Sequence, residues 1–400
     1  MKWVSNADLC FPAGILPLPY GIYLLNLRTE TYGRVFFLLY GPKYLARTIS
    51  PESFHSMNPI SLRLLSQQLC CPQFTRPEEV VAHMGAMQAQ DYRMMRWAVM
   101  MRMRSPSVEA FRHSFDEGKI IRLHLLRGTW QLVAAEDYWW MLSLFAPKAE
   151  ATIRGWMKAR GVAIGEDEAR SVRGVLVKVC RTLGSATKED FAEALGEHGW
   201  AMDSHRLDYH LRLAEVDGTL CSGCLSPRRS TYALAEEKVP RRSLPDRDGM
   251  LSLLARKYFR SHSPATVEDF AWWTGLALSD CRRALHLLDS ELHPVVCHGF
   301  EFLVHESCRT RGFRRGRSLL LPPYDEYLVA YKSRSLVLPE EHAPHAYNTF
   351  GIFHPVVLHD GEVCANWAPW RKALELEVFR TVDATLSLEE QWSTFCRCMK

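Results

Sequence analysis

Clean helical patterning begins just after Met57, where Ile60, Leu62, Leu64, Leu65 and Leu69 fall on one face of a helix. Similar periodicity predicts helices over 60–69, 77–88, 92–103 and 107–117. Strands around 120–125 and 129–133 follow, joined at Arg127-Gly128. The segment Ala186-Thr187-Lys188-Glu189-Asp190-Phe191 recurs as Ala265-Thr266-Val267-Glu268-Asp269-Phe270, and each copy reads as a Thr cap with first-turn carboxylates. A helix over 204–216 and apolar strands around 218–223 and 230–234 follow the first copy. Helices over 267–274 and 278–289 and a hairpin about His298-Gly299 complete the second. Helix, turn, helix and hairpin is the order of a winged helix. The expected fold is therefore α+β, mainly α, with three tandem winged-helix domains at 57–150, 151–245 and 246–310. A C-terminal β-rich part with a short helix spans 311–400, where Asp360-Gly361 between apolar strands predicts a hairpin. Residues 1–56 show no clear period and are expected to be an extension, disordered or arising from an upstream start.

One stretch breaks the helical pattern. In Met84-Gly85-Ala86-Met87-Gln88-Ala89-Gln90-Asp91 two amides and a carboxylate crowd into four residues. On a helix Gln88 and Gln90 would diverge by roughly 200°, so they converge on one point only if the backbone there is extended or kinked. Capping or trimming of a surface helix is the alternative reading.

Composition narrows the field. Lys plus Arg number 49 against 45 Asp plus Glu, a mild excess that permits an anionic partner without demanding one. The excess is local: Arg309, Arg311, Arg314, Arg315 and Arg317 place five arginines in nine residues, with Phe313 and two glycines among them, a loop suited to phosphate. Arg228 and Arg229 beside the first wing repeat the theme. A solvated loop that only aids solubility is the other reading. The 12 cysteines do not form a secreted disulfide framework, and the single Cys-x-x-Cys at Cys221 and Cys224 lacks a second pair, so neither metal nor cofactor is expected. The apolar run 11–27 is broken by Pro12, Pro17 and Pro19 and reads as neither signal peptide nor membrane span. A cytoplasmic, nucleoid-associated protein of bacterial type is expected. Gly-x-Ser-x-Gly, Walker and dinucleotide glycine loops are absent, and the 16 histidines include no His-Glu-x-x-His. Trp139-Trp140 and Trp272-Trp273 read as packing residues.

From about residue 57 to 371 the chain resembles the AlkZ-like DNA glycosylases. The resemblance rests on an ordered set: Leu64-Leu65-Ser66-Gln67-Gln68-Leu69, Gln88-Ala89-Gln90-Asp91, and Leu126-Arg127-Gly128-Thr129-Trp130 before Val133. It continues with Leu321-Pro322-Pro323-Tyr324-Asp325-Glu326-Tyr327-Leu328, Lys332 and Arg334, and Gly351-Ile352-Phe353-His354-Pro355 before the Asp360-Gly361 turn. Where the family carries His after Arg-Gly-Thr-Leu, Trp130-Gln131 stands here.

The resemblance implies tandem winged helices and hydrolysis of N-alkylpurine nucleosides in duplex DNA, interstrand crosslinks among them. It implies Gln88 and Gln90 as a Gln-x-Gln catalytic motif, a glutamine carbonyl holding water while its amide end is fixed by a neighbour. Arg127, Thr129, Trp130 and the arginine loop would line a concave DNA face, and Asp91, Asp325, Tyr327 and Lys332 would support the site, Asp91 as a cap. A monomer acting on damaged double-stranded DNA without full base extrusion is expected. The alternatives are a non-catalytic winged-helix regulator and a protein-interaction scaffold.

Overall fold

The computed structural model describes residues 58–297, 300–381 and 387–399, together with the backbone of five short strands before residue 41. The chain divides into two compact units, 1–57 and 58–400. In the first, β1 (Trp3–Asn6) pairs antiparallel with β2 (Leu9–Pro12), and β3 (Ile15–Leu18), β4 (Ile22–Thr29) and β5 (Gly33–Tyr40) form a second antiparallel sheet. These strands were not visible in the hydrophobic pattern. Whether the remainder of 1–57 is disordered or wrongly started lies outside the described residues.

The second unit mixes helices with small antiparallel sheets. Helix α1 (Pro59–Ser66) starts at a proline, and the Asn58 side chain accepts from Ile60 N at 2.9 Å. Helix α2 (Pro77–Met84) also begins at a proline, after Arg76, and stops four residues earlier than the periodicity predicts. Gly85 ends it at φ +79°, where a Cβ would sit 3.0 Å from that of Lys257. The next three residues become β6 (Ala86–Gln88), all buried, against β8 (Trp130–Ala134), which also pairs with β7 (Ile120–His124). Between β6 and β7 lie α3 (Met95–Met100) and α4 (Val108–Asp116).

The long helix α5 (Ala135–Ala159) buries Trp139 and Trp140. After it come α6 (Glu166–Leu183), β9 (Ala186–Thr187), α7 (Lys188–Glu197), α8 (Ser204–Val216), β10 (Leu220–Ser222), β11 (Thr231–Leu234) and α9 (Ala235–Lys238). Helix α10 (Arg247–His262) leads into α11 (Val267–Thr274), α12 (Leu278–Leu288), β12 (Leu292–Cys297) and β13 (Phe300–His305); the expected His298-Gly299 turn lies outside the described residues. The repeated Thr caps are real: the Thr187 hydroxyl accepts from Asp190 N at 3.2 Å, and that of Thr266 from Asp269 N at 3.0 Å.

The C-terminal sheet orders β14 (Ser318–Leu321), β15 (Val356–His359), β16 (Glu362–Trp367) and β17 (Leu376–Val378), with the short helices α13 (Glu326–Val329) and α14 (Ala343–Ala346) ahead of β15. The Asp360-Gly361 turn has φ of +50° and +89°, the left-handed pair that the Asp-Gly signal predicts. It presses on α1, where a Cβ on Gly361 would clash with Ile60. This sheet shares one core with the first helices and the last helix α15 (Glu389–Met399): Trp97 Nε1 donates to Leu320 O at 2.8 Å, and the Trp97 ring meets Phe395 edge-on at 5.3 Å. A second core gathers α5, α10 and α11 around Trp140, Tyr258 and Trp273. Trp272, expected to pack, is instead 43% exposed. No helix among the described residues is long and apolar enough to cross a membrane.

Candidate active site

Gln88 is the last residue of β6 and stands opposite Gln131 of β8; Ala89 N extends the pairing by donating to Trp130 O at 2.8 Å. The backbone is thus extended through Gln88 and Ala89 and bends at Gln90, rather than continuing the helix. The two differ in surroundings. Gln88 is buried and Gln90 is exposed.

The Gln88 carbonyl sits among donors. Gln131 Nε2 donates to Gln88 Oε1 at 2.7 Å, Thr129 Oγ1 lies 3.2 Å from the same oxygen, and Arg127 Nη2 donates from 3.5 Å. A guanidinium has no acceptor, so the oxygen of Gln88 is the end that faces it. At Gln88, then, it is the carbonyl end that neighbours fix. Arg127 adopts φ +54°, and Nη1 donates to Trp272 O at 3.1 Å and to Trp273 O. These contacts are internal to the protein. Burial pushes its guanidinium below the usual range. A cavity of about 240 Å³ opens beside Arg127 and Gly128, floored by Leu125, Phe145 and Ala149.

A carboxylate supports Gln88 from behind. Glu326 Oε1 accepts from Gln88 N at 2.5 Å and Oε2 from Trp273 Nε1 at 3.0 Å, with His262 Nε2 at 3.4 Å. His262 is fully buried and stacks on Tyr258 at 4.7 Å. On the other side Arg122 reaches Ala89 O with Nε at 3.1 Å and Nη2 at 3.0 Å. Its guanidinium lies 3.7 Å over the Trp130 ring and 5.2 Å from the Tyr92 ring, and burial lowers its pKa to about 10.

The remaining expected residues are dispersed. Asp91 is a cap, accepting from Arg93 N and Met94 N, both at 2.9 Å. Asp325 forms a buried bidentate pair with Arg102, at 2.7 and 2.8 Å, and Tyr327 is buried with its hydroxyl on Gly361 O at 2.8 Å. Both hold the fold rather than the site. Lys332 has an exposed side chain, while its backbone N donates to Asp269 at 2.8 Å. Trp130 is half-buried between His124 and Arg122. Arg228 and Arg229 are exposed on the β10–β11 loop, Arg229 paired with Glu189 at 3.2 Å. Arg311, Arg314, Arg315 and Arg317 are exposed, and Arg309 Nη1 donates to Cys71 O at 3.1 Å. Among the described residues the polar contacts that anchor this loop go to Cys71 and Asp360, not to the Gln88 cluster.

Arg122 and His262 were not singled out from sequence, and Gln131 and Glu326 stood there only within the motifs of the resemblance, with no role of their own. One signal existed: Arg122 and His124 alternate with Ile121 and Leu123 on a strand buried on both faces. Nothing in the sequence placed Glu326 behind Gln88, 238 residues away.

The model of the DNA glycosylase AlkZ-like family matches residues 81–396. Among solved structures, the Streptomyces sahachiroi DNA glycosylase AlkZ is similar over 86% of this chain and 96% of its own, at 21% identity and a TM-score of 0.70. No curated protein matches.

Proposed function

Since the chain belongs to the AlkZ-like DNA glycosylase family, an enzyme of DNA repair acting on DNA, we propose that it hydrolyses the N-glycosidic bond of N-alkylated purines, N7-alkylguanine first and interstrand crosslinks among its targets. An N7-alkylguanine already carries positive charge and leaves with the bond's electron pair. The enzyme must therefore stabilise an oxocarbenium-like sugar and direct water to C1′, whose surplus proton passes to solvent. Gln88 and Gln90 supply these functions unequally. Gln88 is rigid, its carbonyl dipole set by Gln131 and Arg127 and its backbone by Glu326. Gln90 is exposed, and among the described residues its amide has no hydrogen-bond partner, leaving its carbonyl to hold the water.

The observation that carries this reading is the donor cluster fixing Gln88 at the end of β6, with the exposed Gln90 two residues on, in the bend that follows. The three helix–hairpin segments act as winged helices along the duplex, the exposed arginines at 228–229 and 311–317 contact phosphate, and the protein works as a monomer that prefers damaged DNA. The test is release of free base from a duplex with one N7-methylguanine, read as alkali-labile abasic sites. Release supports the reading, and intact strands after tight binding count against it.

A further inference from the structure

Sheet pairing holds the motif only as far as Ala89 N. Past that atom the chain leaves β8, and Asp91 caps the next turn. The peptide plane between Ala89 and Gln90 is therefore fixed by whatever holds Ala89 O, and that is Arg122, with two nitrogens on the one oxygen. The same guanidinium donates through Nη1 to Ser230 Oγ at 3.0 Å, and Arg122 N donates to Ser222 Oγ at 2.9 Å. Ser222 ends β10 and Ser230 lies just before β11, so both belong to the hairpin whose loop carries Arg228. That loop is tied to the motif at further points: Ser226 N donates to Tyr92 Oη at 3.2 Å and Arg96 Nη2 to Pro227 O at 3.1 Å. No carboxylate pairs with Arg122 among the described residues, so its hydrogen-bonding capacity is spent on joining these two segments.

We infer that Arg122 is a positioning residue that sets the direction of Gln90 and couples it to the β10–β11 loop. The inference rests on the glycosylase reading of Gln88 and Gln90. DNA pressed against the Arg228 loop is then felt at Gln90 through Ser230, Arg122 and the Ala89 carbonyl. Lysine at 122 keeps the charge but cannot meet Ala89 O twice and Ser230 once from a rigid fork.

The experiment is a double-mutant cycle in single turnover on N7-methylguanine duplex, with Arg122→Lys, Ser230→Ala, Gln90→Ala and the two pairs with Gln90→Ala. Misplacing a reacting group by about 1 Å costs on the order of 100-fold, so Arg122→Lys should lose about that much in the saturated rate with duplex affinity unchanged. Ser230→Ala should lose a smaller factor in the same parameter. Neither should slow the Gln90→Ala enzyme further, because both act through Gln90. Rates of Arg122→Lys and Ser230→Ala equal to wild type, or losses that multiply with that of Gln90→Ala, would overturn the inference. Where Arg122→Lys fails to fold, the Ser230→Ala cycle decides by the same criterion. A wild type that releases no base removes the glycosylase reading itself, an outcome distinct from a wild type that releases base and an Arg122→Lys that matches it.

Discussion

Replacing Glu326 by glutamine alters the site by one atom. Glu326 is 2% exposed, and its two oxygens accept from Gln88 N and Trp273 Nε1. A glutamine has one carbonyl oxygen, so whichever way it turns, one N–H donor faces an NH₂ group. The cheaper orientation keeps oxygen on Gln88 N and turns the amide toward Trp273 and His262 Nε2. One buried donor left unmet costs about 1–3 kcal/mol, and the bond to Gln88 loses its charge assistance. A fall of about 2 kcal/mol is expected for Glu326→Gln. For Glu326→Ala, which strands both donors and opens a void, about 3–5 kcal/mol is expected. Urea unfolding with linear extrapolation resolves these steps. Single-turnover rates should fall in the same order, because Gln88 loses its backbone anchor. Equal stability of Glu326→Gln and wild type, or an alanine variant more stable than the glutamine one, would refute the argument.

Other perturbations separate structural from binding roles. Arg102→Met leaves Asp325 buried without its partner and should cost about 3–5 kcal/mol in urea unfolding, while the added change Asp325→Leu should recover much of it. Arg311→Gln and Arg314→Gln should weaken duplex binding and lower the slope of log affinity against log salt by about 0.9 for each lost phosphate contact; saturated rates and thermal midpoints should stay put. His83 donates Nε2–H to Ser66 O at 2.7 Å, and burial holds its pKa at about 3 against 6.5 when unfolded. The folded state therefore takes up its proton later than the unfolded state. The stability His83 provides is full above pH 6.5 and is lost as pH falls toward 3, at no more than about 1.4 kcal/mol per pH unit. Urea midpoints at pH 7.5, 6 and 5 should decline less for His83→Gln than for wild type.

Local signals in the sequence found local structure. The Thr caps at 187 and 266, the helices Ser204–Val216 and Val267–Thr274 and the Asp360-Gly361 turn depend on residues within a few positions of one another, and all stand in the structure. The helix expected through residue 88 stopped at Gly85, because cross-strand pairing with β8 outweighed a helical pattern of apolar residues. A departure from helix at the glutamines was legible from their spacing: the chain is extended at Gln88 and bent at Gln90. What surrounds them was not, because Glu326 and Arg122 reach the motif, and Trp273 reaches Glu326, through tertiary contacts that no period encodes. The same reason hid the shared core of β14–β16 with α1–α3: the segments are over 200 residues apart, and each reads as ordinary amphipathic chain.

The most direct measurement is single-turnover base release from a duplex carrying one N7-alkylated guanine, with wild type, Gln88→Ala and Gln90→Ala compared at saturating enzyme. Abasic product is expected from wild type, with the rate cut to a small measurable residue in each variant and duplex affinity unchanged. Release at the wild-type rate in both variants, or a wild type that binds the lesion and leaves the bond intact, would contradict this reading.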